Sequence, residues 1–266
     1  MSLRAHVAGV DFSGARDAGK HIWIAEGTVS PRGLQIHKLQ RADTLPGSGP
    51  TFEDALPSLV EHIGSLTDRI IGFDFPFSLP HVLIPDKTWM EFVLRFAKDY
   101  DTSSEFRDAC RDRTDGRELK RSTDVEACVP WCAYNLRLYR QTWAGIRHVL
   151  APLIQGGHAR IIPMQKPKRG LPIVAETCPA SLLKKEDLYL PYKRPNPSHA
   201  EARTKIVREL TRRKLLSPVR GKLRDDIIGD PGGDALDAVL AAIGAAGIND
   251  AEPRNDADQI EARVYF

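Results

Sequence analysis

Residues 4–15 read RAHVAGVDFSGA. An apolar run of strand-forming residues carries Asp11 at its end and spills into Ser13-Gly14, a chain-turning pair. A carboxylate at the mouth of a buried strand is well placed to grip a cation. The plainer reading is an ordinary first strand whose aspartate begins a turn. The same design returns in RIIGFDFPFSLP (69–80), and again around PIVAETCP (172–179) and GGDALDAVLAAI (232–243). That recurrence favours a site.

Outward from this stretch, Ala5 to Asp11, His21 to Gly27 and Leu34 to Leu39 read as three strands joined by the turn-rich segments ARDAGK and TVSPRG. Connections this short imply an antiparallel meander. Thr51 offers an N-cap for a helix over Phe52 to Leu66, with Leu56, Leu59, Val60 and Ile63 at helical spacing and Pro57 marking a kink or the first turn. Arg69 to Phe75, apolar nearly throughout, is a fourth strand inside the sheet. A right-handed crossover sets it parallel beside the first, so that Asp11 and Asp74 end at one edge.

Pro80 to Gly157 is polar and helical in pattern, with arginines and aromatic residues interleaved. It reads as a helical subdomain (80–157) inserted in a single domain spanning 1–266. Ala159 to Met164 and Leu171 to Glu176 predict two further strands around the basic turn QKPKRG. Lys166, Lys168 and Arg169 of that turn would either touch phosphates or form a solvated hairpin tip. Ser198 is a candidate cap for a helix over Ala200 to Lys214, and Arg220 to Gly233 reads as a mobile connector. Asp234 to Ala246 is a small-residue helix that must pack closely, and Ile260 to Phe266 is a last short strand.

At 42% apolar and 27% charged residues, the 266-residue chain has the composition of a soluble globular protein. No apolar run approaches the roughly 20 residues that span a bilayer. The opening MSLRAHVAGVDFSGA lacks a signal peptide's apolar core, so the expectation is a cytoplasmic protein with no membrane partner. Cys128 and Cys132 have no second pair to complete a zinc site, which leaves buried thiols as the simpler reading. The net charge of +3 hides an asymmetry: residues 166–224 carry 16 Lys/Arg against 5 Asp/Glu, and residues 225–266 carry 2 against 10. A basic surface beside a carboxylate cluster suits a polyanion bridged by metal ions, whereas a solvated helix face would give the same counts.

In GGDALDAVLAAIGAA, Asp234 and Asp237 share a helical face beside a close-packing apolar surface, where charge is costly unless neutralised. A divalent metal would neutralise it. Alternatively, Asp234 is an N-cap and Asp237 a first-turn acid favoured by the helix dipole. Acids thus stand at four stations: Asp11, Asp74, Glu176 and the Asp234/Asp237 pair. Two Mg2+ or Mn2+ ions about 4 Å apart on such oxygen ligands promote phosphodiester hydrolysis. That chemistry needs no nucleophilic serine, and GVDFSGA is not a G-x-S-x-G elbow.

In their order and spacing, AGVDFSGA, IIGFDFPFSLP, AETCPASLL and DALDAVLAAI resemble an uncharacterised family of predicted nucleases with an RNase H-like fold. The last motif is also similar to the closing helix of RuvC-type Holliday-junction resolvases. The resemblance covers residues 4–80 and 159–266 and leaves the intervening helical stretch aside. It implies an α/β fold, a five-stranded mixed sheet of order 3-2-1-4-5 flanked by helices, and a two-metal carboxylate site. Carried over, Asp11 would bridge both metals and Asp74 would take the fourth-strand position, where related nucleases often have Glu. Asp237, with Asp234, would complete the site from the final helix. Glu176 matches an acid of the family's third motif, its role open between a supporting partner and a salt bridge. Lys168 or Arg169 would steady a phosphate, and a resolvase-like enzyme would act on nucleic acid as a homodimer.

Two rivals stay open. GVDFSG also resembles the first phosphate loop of ATP-dependent phosphotransferases of the actin-like superfamily, although the chain has little room for their duplicated fold. A non-catalytic nucleic-acid-binding module could use the basic middle of the chain alone.

Overall fold

The opening apolar run forms strand β1 (His6–Asp11), which is buried from Val7 onward. This is seen in a computed structural model that describes residues 5–266; Arg4 and the rest of the amino-terminal residues invoked above lie outside the described residues. Strands β2 (Trp23–Ser30) and β3 (Gly33–Arg41) follow as the expected antiparallel meander. Strand β4 (Ile70–Asp74) returns parallel to β1, with Asp11 directly opposite Asp74. Strands β5 (Arg160–Ile162), β6 (Ile173–Thr177) and β7 (Val264–Tyr265) complete a seven-stranded mixed sheet among the described residues.

The order is β3-β2-β1-β4-β6-β5, with β7 also paired to β6. The place beside β4 expected for a fifth strand is therefore filled by the sixth, and β5 lies outside it. Strands β5 and β6 run parallel, so the basic turn between them is not a hairpin tip. It carries the chain back along the sheet, and the Gly170 amide donates to Asp68 just before β4 at 3.1 Å.

The helices are α1 (Phe52–Ser65), α2 (Trp89–Asp99), α3 (Ser103–Asp112), α4 (Ser122–Glu126), α5 (Tyr139–Gly145) and α6 (Ala151–Gln155), then α7 (Pro179–Lys185), α8 (Pro197–Arg212), α9 (Gly221–Gly229), α10 (Asp234–Ala246) and α11 (Asp256–Ile260). Thr51 caps α1, accepting from the Asp54 amide at 3.3 Å, and Pro57 lies inside that helix rather than at its start. Helix α8 begins after Asn196, so Ser198 sits within its first turn and is not the cap. The stretch read as a mobile connector is helix α9. None of these helices is long and apolar enough to cross a membrane.

Strand alternation sorts the core into two. Ala8, Val10 and Phe12 of the first strand region, with Ile71 and Phe73 of β4, face a core shared with α1, α2, α3, α5 and α6. Val7 and Ile70 point to the other face, which packs on α7, α8, α9 and α10. Helices α2, α3, α5 and α6 thus share one core with the sheet, while Ala127 and Val129 pack with Val264 in a smaller cluster.

Helix α10 lies on a bed of small residues. Ala25, Gly9, Gly72 and Ala175 stand side by side across β2, β1, β4 and β6. A Cβ on Gly9 would fall 2.1 Å from Ala242 N and 2.2 Å from Ala238 O, and one on Gly72 would fall 2.6 Å from Ala241 O. These are backbone atoms and cannot swing aside. From Ala241 back to Asp237 is four residues, about 6 Å along a helix axis. From Gly9 to Asp11, or Gly72 to Asp74, is two residues and about 6.6 Å along a strand. The two steps match, so seating α10 on the glycines brings Asp237 over both strand aspartates.

Gly9→Ala should therefore lift α10 and destabilise the fold by about 1–3 kcal/mol or more, as overpacking does. Gly229→Ala, where nothing lies within 4 Å of the added carbon, should cost nothing measurable. Urea denaturation of the two variants makes the comparison, and equal midpoints would contradict the close-seating account.

Candidate metal centre

Asp11, Asp74 and Asp237 each offer a carboxylate oxygen within 4.8 Å of the others'. Asp237 is fully buried and Asp11 is 7% exposed. Each comes from a separate element: the last residue of β1, the last residue of β4 and the first turn of α10. Among the described residues, no group donates a hydrogen bond to the carboxylate of Asp11 or Asp74. Asp237 is held from a loop instead. The Tyr192 hydroxyl donates to its Oδ1 at 2.5 Å, and the Lys193 ammonium meets its Oδ2.

Crowding buried acids resists their ionisation. Burial foremost, then the charge of Asp237, pushes Asp11 well above the ordinary carboxyl range. The same two causes push Asp74 up to about 7. Burial and the neighbouring Asp230 raise Asp234 to about 6. Burial would pull the Lys193 ammonium down, but Asp237 and the other acids outweigh it and hold it well above its usual range.

The remaining candidates fall elsewhere. Gly233, with φ of +78°, is the cap of α10, so Asp234 is its first helical residue and not the cap. Asp230 accepts from the Ala235 amide at 3.0 Å. Asp234 lines the cleft wall 4.0 Å from His21 Nδ1, outside the triad.

Glu176 pairs across from Phe73, one position out of step with Asp74, so it points to the opposite face of the sheet. There Arg121 grips it with two bonds, Nη1 to Oε2 at 2.7 Å and Nη2 to Oε1 at 2.5 Å, and the Phe77 amide donates to Oε2 at 2.9 Å. Arg121 is fully buried and also donates to Asp124. Burial alone would lower its affinity for the proton, yet Asp124 and Glu176 hold it well above the usual value. The salt-bridge alternative for Glu176 is the one found. Lys166, Lys168 and Arg169 do not line the cleft; their turn meets the sheet beside Asp68, at the far end of β4.

The triad floors a cleft of about 1010 Å³. Its rim carries Arg137, Arg194 and His199, and the exposed rings of Trp131 and Tyr189. Arg137 stacks over Trp131 at 4.8 Å and Lys184 over Tyr189 at 5.2 Å. The sequence reading missed Tyr192, Lys193, Arg121 and Asp230. One signal was present in the sequence: both strand acids sit in Gly-x-Asp, GVD and GFD, which marks a close-approaching backbone two residues before each ligand. Nothing local marks Tyr192 and Lys193, whose partner lies 45 residues along the chain.

Without cations, the folded chain keeps a proton on Asp74 from its ordinary 3.8 up to about 7, where the unfolded chain has released it. The contribution of this group to stability therefore falls as pH rises through that window. A cation needs the ionised form, so the increase in Tm produced by Mn2+ should be small at pH 5.5 and grow towards pH 8. Thermal denaturation with and without Mn2+ measures this, and a pH-independent increase would rule out titrating acids at the site. Arg121→Ala leaves Glu176 and Asp124 buried without their counter-charge and should cost about 3–5 kcal/mol, read by chemical denaturation.

No family model matches this chain, and neither a curated protein nor a solved structure resembles it significantly.

Proposed function

We propose that the chain is a metal-dependent phosphodiester hydrolase, a nuclease that works through Mg2+ or Mn2+ held by Asp11, Asp74 and Asp237. The observation that carries this reading is the convergence of three carboxylates from three elements, two of them with no hydrogen-bond donor among the described residues, on the floor of an open cleft. Carboxylates crowded this closely resist ionisation unless a cation joins them. The ligand set is all oxygen, which suits hard cations and not zinc or copper.

When bound, such cations supply an ionised water near neutral pH and offset charge on the leaving oxygen. The chain's own groups do the rest. Asp11 and Asp74, opposite each other on paired strands, would fix the ligand geometry, and Asp237 is oriented by Tyr192. Arg137 and Arg194 on the rim offer guanidinium groups to phosphate oxygens, and Trp131 and Tyr189 offer faces to bases. The resemblance of the four sequence motifs to predicted nucleases supports the same conclusion. The expected pair of ions leans on Asp234 as a further ligand, and that residue stands outside the triad.

The test is cleavage of single-stranded, duplex and branched DNA and RNA with Mn2+ or Mg2+. Asp11→Asn and Asp74→Asn should each lower the rate on the order of 10²–10³-fold, as loss of one preorganised charge does. Cleavage that persists unchanged in Asp11→Asn, or none across the panel, overturns the proposal. Metal-dependent turnover of ATP in place of polymer would favour the phosphotransferase.

A further inference from the structure

The floor of the cleft already holds a cation. The Lys193 side chain is half-exposed, and its ammonium lies against Asp237 in the triad. The surrounding structure holds it there. Tyr192, the preceding residue, is buried and bonded to the other Asp237 oxygen. The Tyr192 carbonyl accepts from Nη1 of the buried Arg203 at 2.6 Å, and Arg203 Nε donates to the Ile228 carbonyl at 2.7 Å. Gly233 makes the room: a Cβ there would fall 3.0 Å from the Tyr192 ring and 3.2 Å from Lys193 Cγ. A surface lysine that merely found an acid would not have a buried tyrosine, a buried arginine and a left-handed glycine fixing its backbone.

We propose that Lys193 supplies the second positive charge of this centre, so that the triad takes one divalent cation and the lysine stands where a second ion would otherwise sit. This rests on the nuclease reading of the site and refines it. Charge counting gives the reason. Three ionised carboxylates and one ammonium carry a net −2, which one divalent ion neutralises. A second divalent ion would leave the centre at +2 beside a fixed ammonium, and like charges about 4 Å apart repel by several kcal/mol even at an effective dielectric constant of 20. Asp234, the acid that could offset it, stands outside the triad, 4.0 Å from His21 Nδ1. In the reaction, the Lys193 ammonium would face the phosphate oxygen that a second cation would otherwise contact, donating hydrogen bonds to it as charge builds there.

Titration of Mn2+ into the full chain, followed by calorimetry and by electron paramagnetic resonance, tests this without any turnover. The wild type should bind one ion per chain and show an uncoupled Mn2+ spectrum. Lys193→Met should bind Mn2+ at least about tenfold more tightly or admit a second, spin-coupled ion, because a positive charge has left the site. Lys193→Arg should keep the single ion. Circular dichroism confirms that each variant is folded. Two coupled ions in the wild type, or Lys193→Met affinity and stoichiometry unchanged, would overturn the role of Lys193 and leave the metal site standing. No Mn2+ binding by the wild type, even at pH 8, would overturn both.

Discussion

Helix α10 approaches the sheet so closely that its backbone touches the strands, and the site depends on that approach. Only a row of residues with little or no side chain permits it, and Ala25, Gly9, Gly72 and Ala175 supply that row in register. Glycine inside a strand is unfavourable by roughly 0.5–1 kcal/mol relative to alanine, so two of them on adjacent strands need a compensating role. That role is helix seating. The helix itself is almost all Ala, Gly, Leu, Val and Ile, buried over most of its length. Its amino-terminal turn carries the partial positive charge of the helix dipole to the place where three acids meet.

The two faces of the sheet end handle buried acid differently. On one face Glu176 has a guanidinium built against it, with Asp124 and the Phe77 amide completing a closed network. Such a network fixes position and is costly to break from one side. On the other face, among the described residues, Asp11 and Asp74 have no donor, and Lys193 is the cation in contact with the triad. A one-residue step along β6 separates the two, since Glu176 and Thr177 point opposite ways. The acid on the satisfied face supports the architecture. The acids on the unsatisfied face keep their ligand capacity.

This difference also explains what was legible in the sequence. The pairing of Asp11 with Asp74 followed from the hydrophobic runs and the handedness of the crossover, both of which are local or topological rules. The bounds of α10 and the meander of β1–β3 followed from composition and loop length. Glu176 looked like the other acids because a residue string does not show which strand face a side chain takes when the run is apolar on both sides. The basic turn 165–170 offered phosphate contacts by residue type alone, and its place beside Asp68, ahead of β4, follows from long-range pairing that the local string does not show. Helix α9 was hidden by glycines and charges at its ends, and Arg121 by the polar context of its neighbours. Their partners come from distant parts of the chain.

The cleft joins an acidic floor to a basic and aromatic rim, and on the nuclease reading this arrangement sets an order of events. Phosphate nearing Asp11, Asp74 and Asp237 would meet like-charge repulsion at short range, well inside the screening length of salt. Arg137 and Arg194 can hold the polyanion at the rim, but the rim alone cannot bring a phosphodiester onto the floor. The floor must first lose its negative charge. Lys193 offsets one of the three charges from the outset, so a single divalent ion brings the balance to neutrality, and protonation of Asp74 below about pH 7 removes a ligand that the ion needs. On that reading cation binding would precede productive seating of the polymer, because the crowded carboxyls that resist ionisation alone are the groups that the phosphate would otherwise meet.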